Sequence, residues 1–415
     1  MSDPNENRAG YKGTKVGWIP EEWDTACFDE HLDIQTGYAF SSDGYTEDET
    51  AIRLLRGDNV TPNRIRWQNA KRWGKEETER IANYRLQEND LVLAMDRPWI
   101  SSGVKVTVLI KEDVPSLLVQ RVARIRASES DLGTFFVAHI GSKRFEYYIK
   151  SNQQEGGGVP HISGAQIRDF HFAAPPLSEQ RKIAHILSTC DEAIEKTGAL
   201  IDAKKRQKKA LMQQLLTGKI RLPGFEGKWK TFRLGDLFTE RAETNCEHLP
   251  LLAITGTRGI IPAADIARKD SSSADKSRYK AIYPGDIGYN TMRMWQGVSA
   301  VSRLEGIVSP AYTICTPTSR VDVGFMGYFF KFPPVVYLFW RFSQGLVNDT
   351  LNLKFPNFAV IHVAIPDKAE QLAITNILQS ADEEITTLKK KKLALQQQKK
   401  SLMQKLLTGQ VRVQV

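Results

Sequence analysis

Cysteine is scarce in this chain. Cys27, Cys190, Cys246 and Cys315 are the only four in 415 residues, and they lie far apart. No CxxC spacing and no nearby histidine pair occurs, which excludes a zinc ribbon or a disulfide scaffold and leaves reduced thiols in a cytoplasmic protein as the expectation. Long apolar runs are also missing. No stretch approaches the ~18 residues that a membrane-spanning helix needs. The opening MSDPNENRAG is polar and has no apolar centre of the kind a secretion signal carries.

Catalytic signatures are equally thin. There is no GxxxxGK[ST] loop, no HExxH and no GxSxG. The glycine run Gly156–Gly158 precedes Val159-Pro160 instead of a helix start, so it reads as a loop and not a phosphate cradle. Phe332–Val335, "FPPV", lacks the amide or acid and the aromatic of an adenine-methylating loop around a flipped base. Asp90 with Asp96, and Asp367 with Lys368, come nearest to a nuclease metal site, but such pairs arise often by chance. No catalytic residue, no metal ligand and no bound cofactor is assigned to this chain.

What the chain does have is a repeat. "ALMQQLLTGKIRL" at 210–222 and "SLMQKLLTGQVRV" at 401–413 agree at eight of thirteen positions. At the same offset of 191, Glu179-Gln180 matches Glu370-Gln371, Ile186-Leu187 matches Ile377-Leu378, and Asp191-Glu192 matches Asp382-Glu383. A weaker echo sets Trp23 beside Trp229, and at an offset of 196 it sets Arg97 beside Arg293 and Trp99 beside Trp295. A period near 200 is too long for a solenoid. It fits two copies of one module, a variable domain followed by a helical tail.

Both tails carry a helical seam. Ile183, Leu187, Ile194, Ile201, Leu211 and Leu215 in the first recur at spacings of three and four, with Cys190 between them. Ile374, Leu378, Ile385, Leu388, Leu395, Leu402 and Leu406 do so in the second. That period, kept over four heptads, predicts a coiled coil. Pro175-Pro176 and Pro366 mark the starts, Ser178 is a candidate cap, and Gly218 and Gly409 are stops of the expected kind. Polar residues interrupt the seams: Thr197, Lys204 and Lys208 in one, Lys392 and Lys399 in the other. Such residues cost stability and fix register.

The predicted organisation is a loose N-terminus at 1–11, a first globular domain at 12–175, a helix at 176–218 and a linker at 219–227. A second globular domain follows at 228–365, then a helix at 366–409 and a tail at 410–415. Strand-like runs ("DLVLAM", "VKVTVLI", "LVQRVARIRA"; "DIGYNT", "GVSAVS", "AYTICTP") and helix-like runs ("LGTFFVAHIGSKRFEYYIKS"; "VGFMGYFFKFPPVVYLFWRFS", interrupted at Pro333-Pro334) make each domain α+β. The expected fold is two similar α+β domains, each followed by a long helix, with the helices paired antiparallel about a pseudo-twofold axis.

Net charge is +9, and each tail (178–220 and 370–412) contributes +4 of it, concentrated at Lys204, Lys205, Arg206, Lys208, Lys209 and Lys389–Lys392. A basic excess favours a polyanionic or acidic partner. The loops are rich in side chains of the types that can read base edges. These are Arg56, Asn59, Asn63, Arg64, Arg66, Arg97, Gln153, Gln154 and His161 in the first domain. In the second they are Arg258, Arg278, Arg293, Gln296, Gln344, Asn348, Asn352 and Lys354. Arginine pairs with guanine, and asparagine or glutamine with adenine, through two hydrogen bonds in the major groove. Trp99 and Trp295 read as packing residues and not as base-stackers.

The order domain, "PPLSEQRKIAHILSTCDEAIEK…ALMQQLLTGKIRLPGF", domain, "EQLAITNILQSADEEITTLKKKK…SLMQKLLTGQVRV" resembles the specificity subunits of type I restriction–modification systems. "KVGWIPEEW" and "FEGKWKTFRLGDLF" are similar to that family's domain starts. "WDTACFDEHL" departs from the usual Leu-Gly-Asp turn, which the chain does keep at Leu234-Gly235-Asp236. The resemblance implies a non-catalytic cytoplasmic subunit whose two recognition domains each read half of a bipartite double-stranded DNA target. It implies two modification subunits that carry S-adenosylmethionine, restriction subunits that use ATP and Mg2+, and no membrane partner. The residues alone leave open an autonomous DNA methyltransferase or nuclease with disguised motifs, or a coiled-coil scaffold with no DNA role.

Overall fold

A computed structural model describes residues 4–75, 78–152, 160–266, 273, 275–347 and 350–414. The chain divides into two compact units, one made of 1–198 with 390–415 and the other of 199–389. Each unit therefore takes one recognition domain, the first half of the helix that follows it, and the second half of the other helix.

The central sheet of the first unit has four strands. In spatial order they are Val106–Val108, Leu91–Ala94, Val122–Ala127 and Leu32–Thr36, and every neighbour is antiparallel. The second unit repeats this order with Ser299–Val301, Ile287–Asn290, Tyr312–Pro317 and Phe238–Glu240, again antiparallel throughout. The inner strands Leu91–Ala94 and Ile287–Asn290 are buried along almost their whole length. An aspartate stands just before the equivalent strand in each. Asp90 takes a two-pronged bond from Arg126 (2.7 and 2.9 Å), and Asp286 takes one from Arg241 (2.8 and 3.2 Å). Both carboxylates are buried, and such charges persist only when paired.

A two-stranded ribbon ties each domain's opening to the strand before its long helix. Asp24–Cys27 pairs with His171–Ala174, and Lys230–Arg233 pairs with His362–Ile365. The departure at "WDTACFDEHL" is thus local: a 3-10 turn at Phe28–Glu30 stands where the second domain has a short helix at Leu234–Leu237. The expected helix over 132–151 is two helices, Gly133–Ile140 and Lys143–Ser151, because Ser142 caps the second by accepting from Phe145 N at 3.2 Å. Its counterpart breaks into Val323–Phe329 and Pro333–Phe342, with proline in the first helical turn where its missing N–H is harmless.

The long helices run Leu177–Leu215 and Lys368–Leu407. Ser178 lies inside the first helix and not at its cap. Gln180 instead ties the start to the preceding chain, its Nε2 donating to Pro175 O at 2.8 Å. Gln371 does the same to Pro366 O at 2.9 Å. Of the seam residues, Ile183, Leu187, Ile201, Leu215, Ile374, Leu378, Ile385 and Leu406 are buried; Ile194, Leu211, Leu388, Leu395 and Leu402 are half-buried. In the first unit Ile183 and Leu187 share a core with Leu402 and Leu406, and in the second Leu211 and Leu215 share one with Ile374 and Leu378.

Three of the four seam lysines, Lys204, Lys208 and Lys399, have carboxylate partners. Lys399 Nζ donates to Asp191 at 2.5 and 2.6 Å in the first unit, and Lys208 Nζ donates to Asp382 at 2.5 Å in the second. Lys204 pairs with Glu384 and Lys205 with Asp202, each within 2.9 Å. Lys204, Lys205 and Lys208 of the basic run are therefore engaged by carboxylates of the helices.

The twin phrase ends each helix in the same way. Gly218 and Gly409 adopt φ of +67° and +68°, a left-handed stop that glycine takes without strain. A Cβ at Gly218 would come within 3.0 Å of the Trp229 ring, and one at Gly409 within 2.5 Å of Pro20. The arginines beyond then close on glutamates, Arg221 on Glu370 and Arg412 on Glu179. The N-terminus, expected to be loose over 1–11, is tied down from Asn5 onward. Asn5 is fully buried and donates to Thr408 O at 2.9 Å, and Tyr11 donates to Gly409 O at 2.7 Å. These polar side chains satisfy carbonyls that the helix end leaves unpaired.

Candidate nucleic-acid interface

In the first unit the Leu91–Ala94 strand runs into Met95-Asp96-Arg97-Pro98. Asp96 accepts from Arg121 (2.9 Å) and pairs with His161 Nδ1 (2.6 Å). Burial opposes its charge, but His161 and Arg121 together hold the carboxyl below the usual range. Backbone bonds brace the loop on both sides, from Arg97 N to Pro160 O and from Met95 N to Arg121 O, each 2.9 Å. Arg97 and Arg121 sit at φ of +44° and +67°. Non-glycine residues hold that conformation only when their surroundings over-determine it, and such strain clusters at functional sites. The Arg97 side chain is exposed, and its guanidinium has no protein hydrogen bond or ion pair among the described residues.

Arg97 opens onto a cleft of about 390 Å3 shared with Tyr45, Arg56, Asp96, Lys105 and Arg121. An adjoining depression of about 350 Å3 carries Arg56, Asn59, Arg66 and Lys71. Burial pushes the Lys105 ammonium below its ordinary pKa, opposed by Asp58 and Asp96. The structure thus brings together Arg56, Asn59, Arg66 and Arg97, with His161 braced behind them. Asn59 is itself internal: its Oδ1 accepts from Arg56 N (2.9 Å) and its Nδ2 donates to Arg66 O (3.0 Å), so its amide shapes the loop. Asn63 turns away into a left-handed turn, with Nδ2 3.5 Å from Asp191, and Arg64 is exposed outside the cleft. Gln153, Gln154 and the Gly156–Gly158 run lie outside the described residues. Lys71, Lys105 and Arg121 escaped the sequence reading because they come from separate strands and turns with no local motif.

The second unit places its loop at the same point of the sheet. Ile287–Asn290 runs into a turn that exposes Arg293 and Gln296, with Gln296 N bonded to Arg293 O at 2.9 Å. Neither side chain has a protein partner among the described residues. Gln344 and Asn352 bridge through reciprocal backbone bonds of 2.8 Å. Asn352 and Lys354 line a cavity of about 460 Å3 with Glu240, Lys280, Thr291 and Met292. Arg258 and Arg278 are exposed and do not line it; Arg258 donates to Asp265 O at 3.0 Å. Asn348 lies outside the described residues. Trp99 packs on the first core, and Trp295 donates to Met292 O at 3.0 Å.

Among the described residues no group of three or more histidine, cysteine or carboxylate side chains could hold a metal ion. Asp90 and Asp96 are each engaged by an arginine, and Asp367 caps the second long helix by accepting from Glu370 N at 3.0 Å. No helix among the described residues is long and apolar enough to cross a membrane.

The class defined by this geometry is a duplicated α+β binding module, each copy presenting an unpaired arginine from one loop. Residues 20–203 match the family described as type I restriction modification DNA specificity domain. The chain is 32% identical over 177 residues to the EcoAI specificity subunit of Escherichia coli, covering 43% of this chain and 29% of that protein. It is 29% identical over 214 residues to the MjaVIII specificity subunit of Methanocaldococcus jannaschii, covering 51% and 49%. The chain thus spans about half or less of these two relatives. A 23% match to the putative MjaX specificity subunit of the same archaeon covers 97% of both chains. Among solved structures, a type I S subunit from M. genitalium aligns with TM-score 0.56 at 14% identity over 98% of this chain and 99% of that one. A chain from a structure of type I complex assembly aligns with TM-score 0.55 at 16% identity over 95% and 99%. At these identities the structures speak for the fold.

Proposed function

We propose that this chain is the DNA-specificity subunit of a type I restriction–modification complex. Each recognition domain reads one half of a bipartite double-stranded DNA target. The observation that carries this reading is the twinned sheet, which presents Arg97 and Arg293 from the same loop of two different domains, both exposed and without protein partners among the described residues. A guanidinium offered in this way matches the two acceptors of guanine in the major groove. Arg56, Arg66, Lys71 and Lys105 supply phosphate contacts around the first, and Lys354 and Lys280 around the second.

The long helices pair antiparallel as a coiled coil about a pseudo-twofold axis. The matched ion pairs Asp191–Lys399 and Asp382–Lys208 support this pairing, since each pairs the first half of one helix with the second half of the other. At ~1.5 Å per residue, helices of 39 and 40 residues reach well beyond the ~34 Å of one DNA turn that separates half-sites read from one face. The subunit does no chemistry. Two modification subunits bring S-adenosylmethionine, restriction subunits bring ATP and Mg2+, and the complex works in the cytoplasm.

The test is a methylome of cells expressing the chain with the modification subunits of its system. A split target with a fixed spacer is expected. A continuous target, or methylation by the purified chain alone, would refute the reading.

A further inference from the structure

The first unit contains a cavity that takes no part in the cleft. It has a volume of about 180 Å3 and lies between the Tyr11–Pro20 hairpin, the Gly141-Ser142 corner and the last turn of the second long helix. Trp18, Ile19, Met403 and Leu407 give it an apolar wall. His139 also lines it and is 3% exposed; burial, with Arg144 nearby, pushes its pKa down to about 3, so the wall is uncharged at neutral pH. The rim is of one sign. Lys143, Arg144 and Lys400 border the cavity, and no carboxylate does.

Arg144 holds the hairpin in place by donating to Val16 O at 2.7 Å and Lys15 O at 3.2 Å. Lys143 and Lys400 are exposed and have no ion-pair partner among the described residues. The second domain treats the corresponding corner differently. The helix pairs of the two domains align at an offset of 190, so the cap residue Ser142 corresponds to Phe332 and His139 to Phe329, and both phenylalanines are buried in the second core. One copy of the module fills this corner with the Phe332 ring, while the other has the small Ser142 and a void.

Protein interiors close such voids unless something occupies them. Apolar cavities of ~150 Å3 stay dry and accept a benzene-sized guest. We infer that the cavity takes one aromatic side chain from an acidic segment of a modification subunit, the ring filling the apolar chamber and the acidic flank meeting Lys143, Arg144 and Lys400. The inference rests on the reading of the chain as a specificity subunit.

The experiment uses the full chain with its modification subunits. Gly141→Phe fills the chamber from inside at a position whose backbone (φ −75°) suits any residue. Lys143→Glu with Lys400→Glu reverses the rim and touches only exposed side chains. Both variants are expected to keep the wild-type melting temperature and to lose tenfold or more in association with the modification subunit. Toluene, used as a probe of the free wild-type chain, is expected to shift the Met403 methyl resonance and to leave it unmoved in Gly141→Phe. Association within twofold of wild type in both variants would overturn the inference while leaving the function intact. A toluene shift with unchanged association would mean a small-molecule chamber only, which also overturns it. Weakened DNA binding with intact association would make the rim a phosphate face and overturn it too. A wild-type chain that assembles with no modification subunit would sink the functional reading and the inference together.

Discussion

Arg412 closes on Glu179 across 233 residues of sequence, with Nε 2.8 Å from Oε1 and Nη2 3.0 Å from Oε2. Trp23 Nε1 adds a third bond to Oε2 at 3.0 Å, and the carboxylate is 3% exposed. The guanidinium pKa is raised, first by the bonds to Glu179 and then by Glu22, against the cost of burial. Arg221 makes the same two-pronged bond to Glu370, 2.7 Å at each contact, at the equivalent positions of the second copy.

Removing Arg412 should therefore destabilise the first unit. A buried pair broken on one side costs ~3–5 kcal/mol; Arg412 is 37% exposed, so Arg412→Ala should cost about 2 kcal/mol. Arg412→Lys should recover only part of that loss, because an ammonium cannot make the two-pronged bond. Urea unfolding followed by tryptophan fluorescence checks both, and a midpoint equal to wild type for Arg412→Ala would refute the assignment.

The seam ion pairs should behave as exclusive couples. Lys399→Asp alone sets two carboxylates against each other, and Asp191→Lys with Lys399→Asp should restore most of the loss. The coupling expected for residues in direct contact is ~0.5–3 kcal/mol. A double-mutant cycle by thermal unfolding measures it. Additive effects would show that the bond contributes nothing to helix pairing.

His139 should make the first unit acid-sensitive. Its pKa falls from 6.5 to about 3 on folding, by burial first and Arg144 second. The unfolded chain thus binds the extra proton between those values. Stability is fully present above pH 6.5 and declines as pH falls towards 3. At ~1.4 kcal/mol per pH unit, the loss at pH 5 is about 2 kcal/mol. His139→Phe, which copies Phe329 of the second unit, should flatten the profile over that range. Unfolding midpoints at pH 7 and pH 5 for both proteins decide the matter.

Specificity should divide between the two loops. Arg97→Ala should relax selectivity in one half of the target and Arg293→Ala in the other, each by ~1–3 kcal/mol or ~10–100-fold, with the spacer unchanged. Lys71→Ala should weaken binding to all sequences alike and make its salt dependence shallower by about one phosphate. Methylome profiles and salt titrations separate these outcomes. A change in both halves from a single arginine would contradict the division.

The duplication, the two long helices and their glycine stops were legible from residue spacing, because apolar period and turn chemistry are local and survive without tertiary information. The α+β character was legible for the same reason: runs such as "DLVLAM" and "AYTICTP" alternate or concentrate their apolar residues as strands do. The arginine loops were legible as loops. Nothing local distinguished Asn59, whose amide is spent on its own backbone, from Arg97, whose guanidinium is left free.

Charge pairing was decided only in three dimensions. Lys208 and Lys399 read as flaws in a seam until their partners, 174 and 208 residues away, fell opposite them. The cleft gathers Arg56, Lys105 and Arg121 from separate strands and turns. The void at Gly141 exists only because a hairpin and a helix end converge there. Backbone period is set by neighbours three or four positions away. A salt bridge, a cleft or a cavity depends on which distant segments meet, and packing alone settles that.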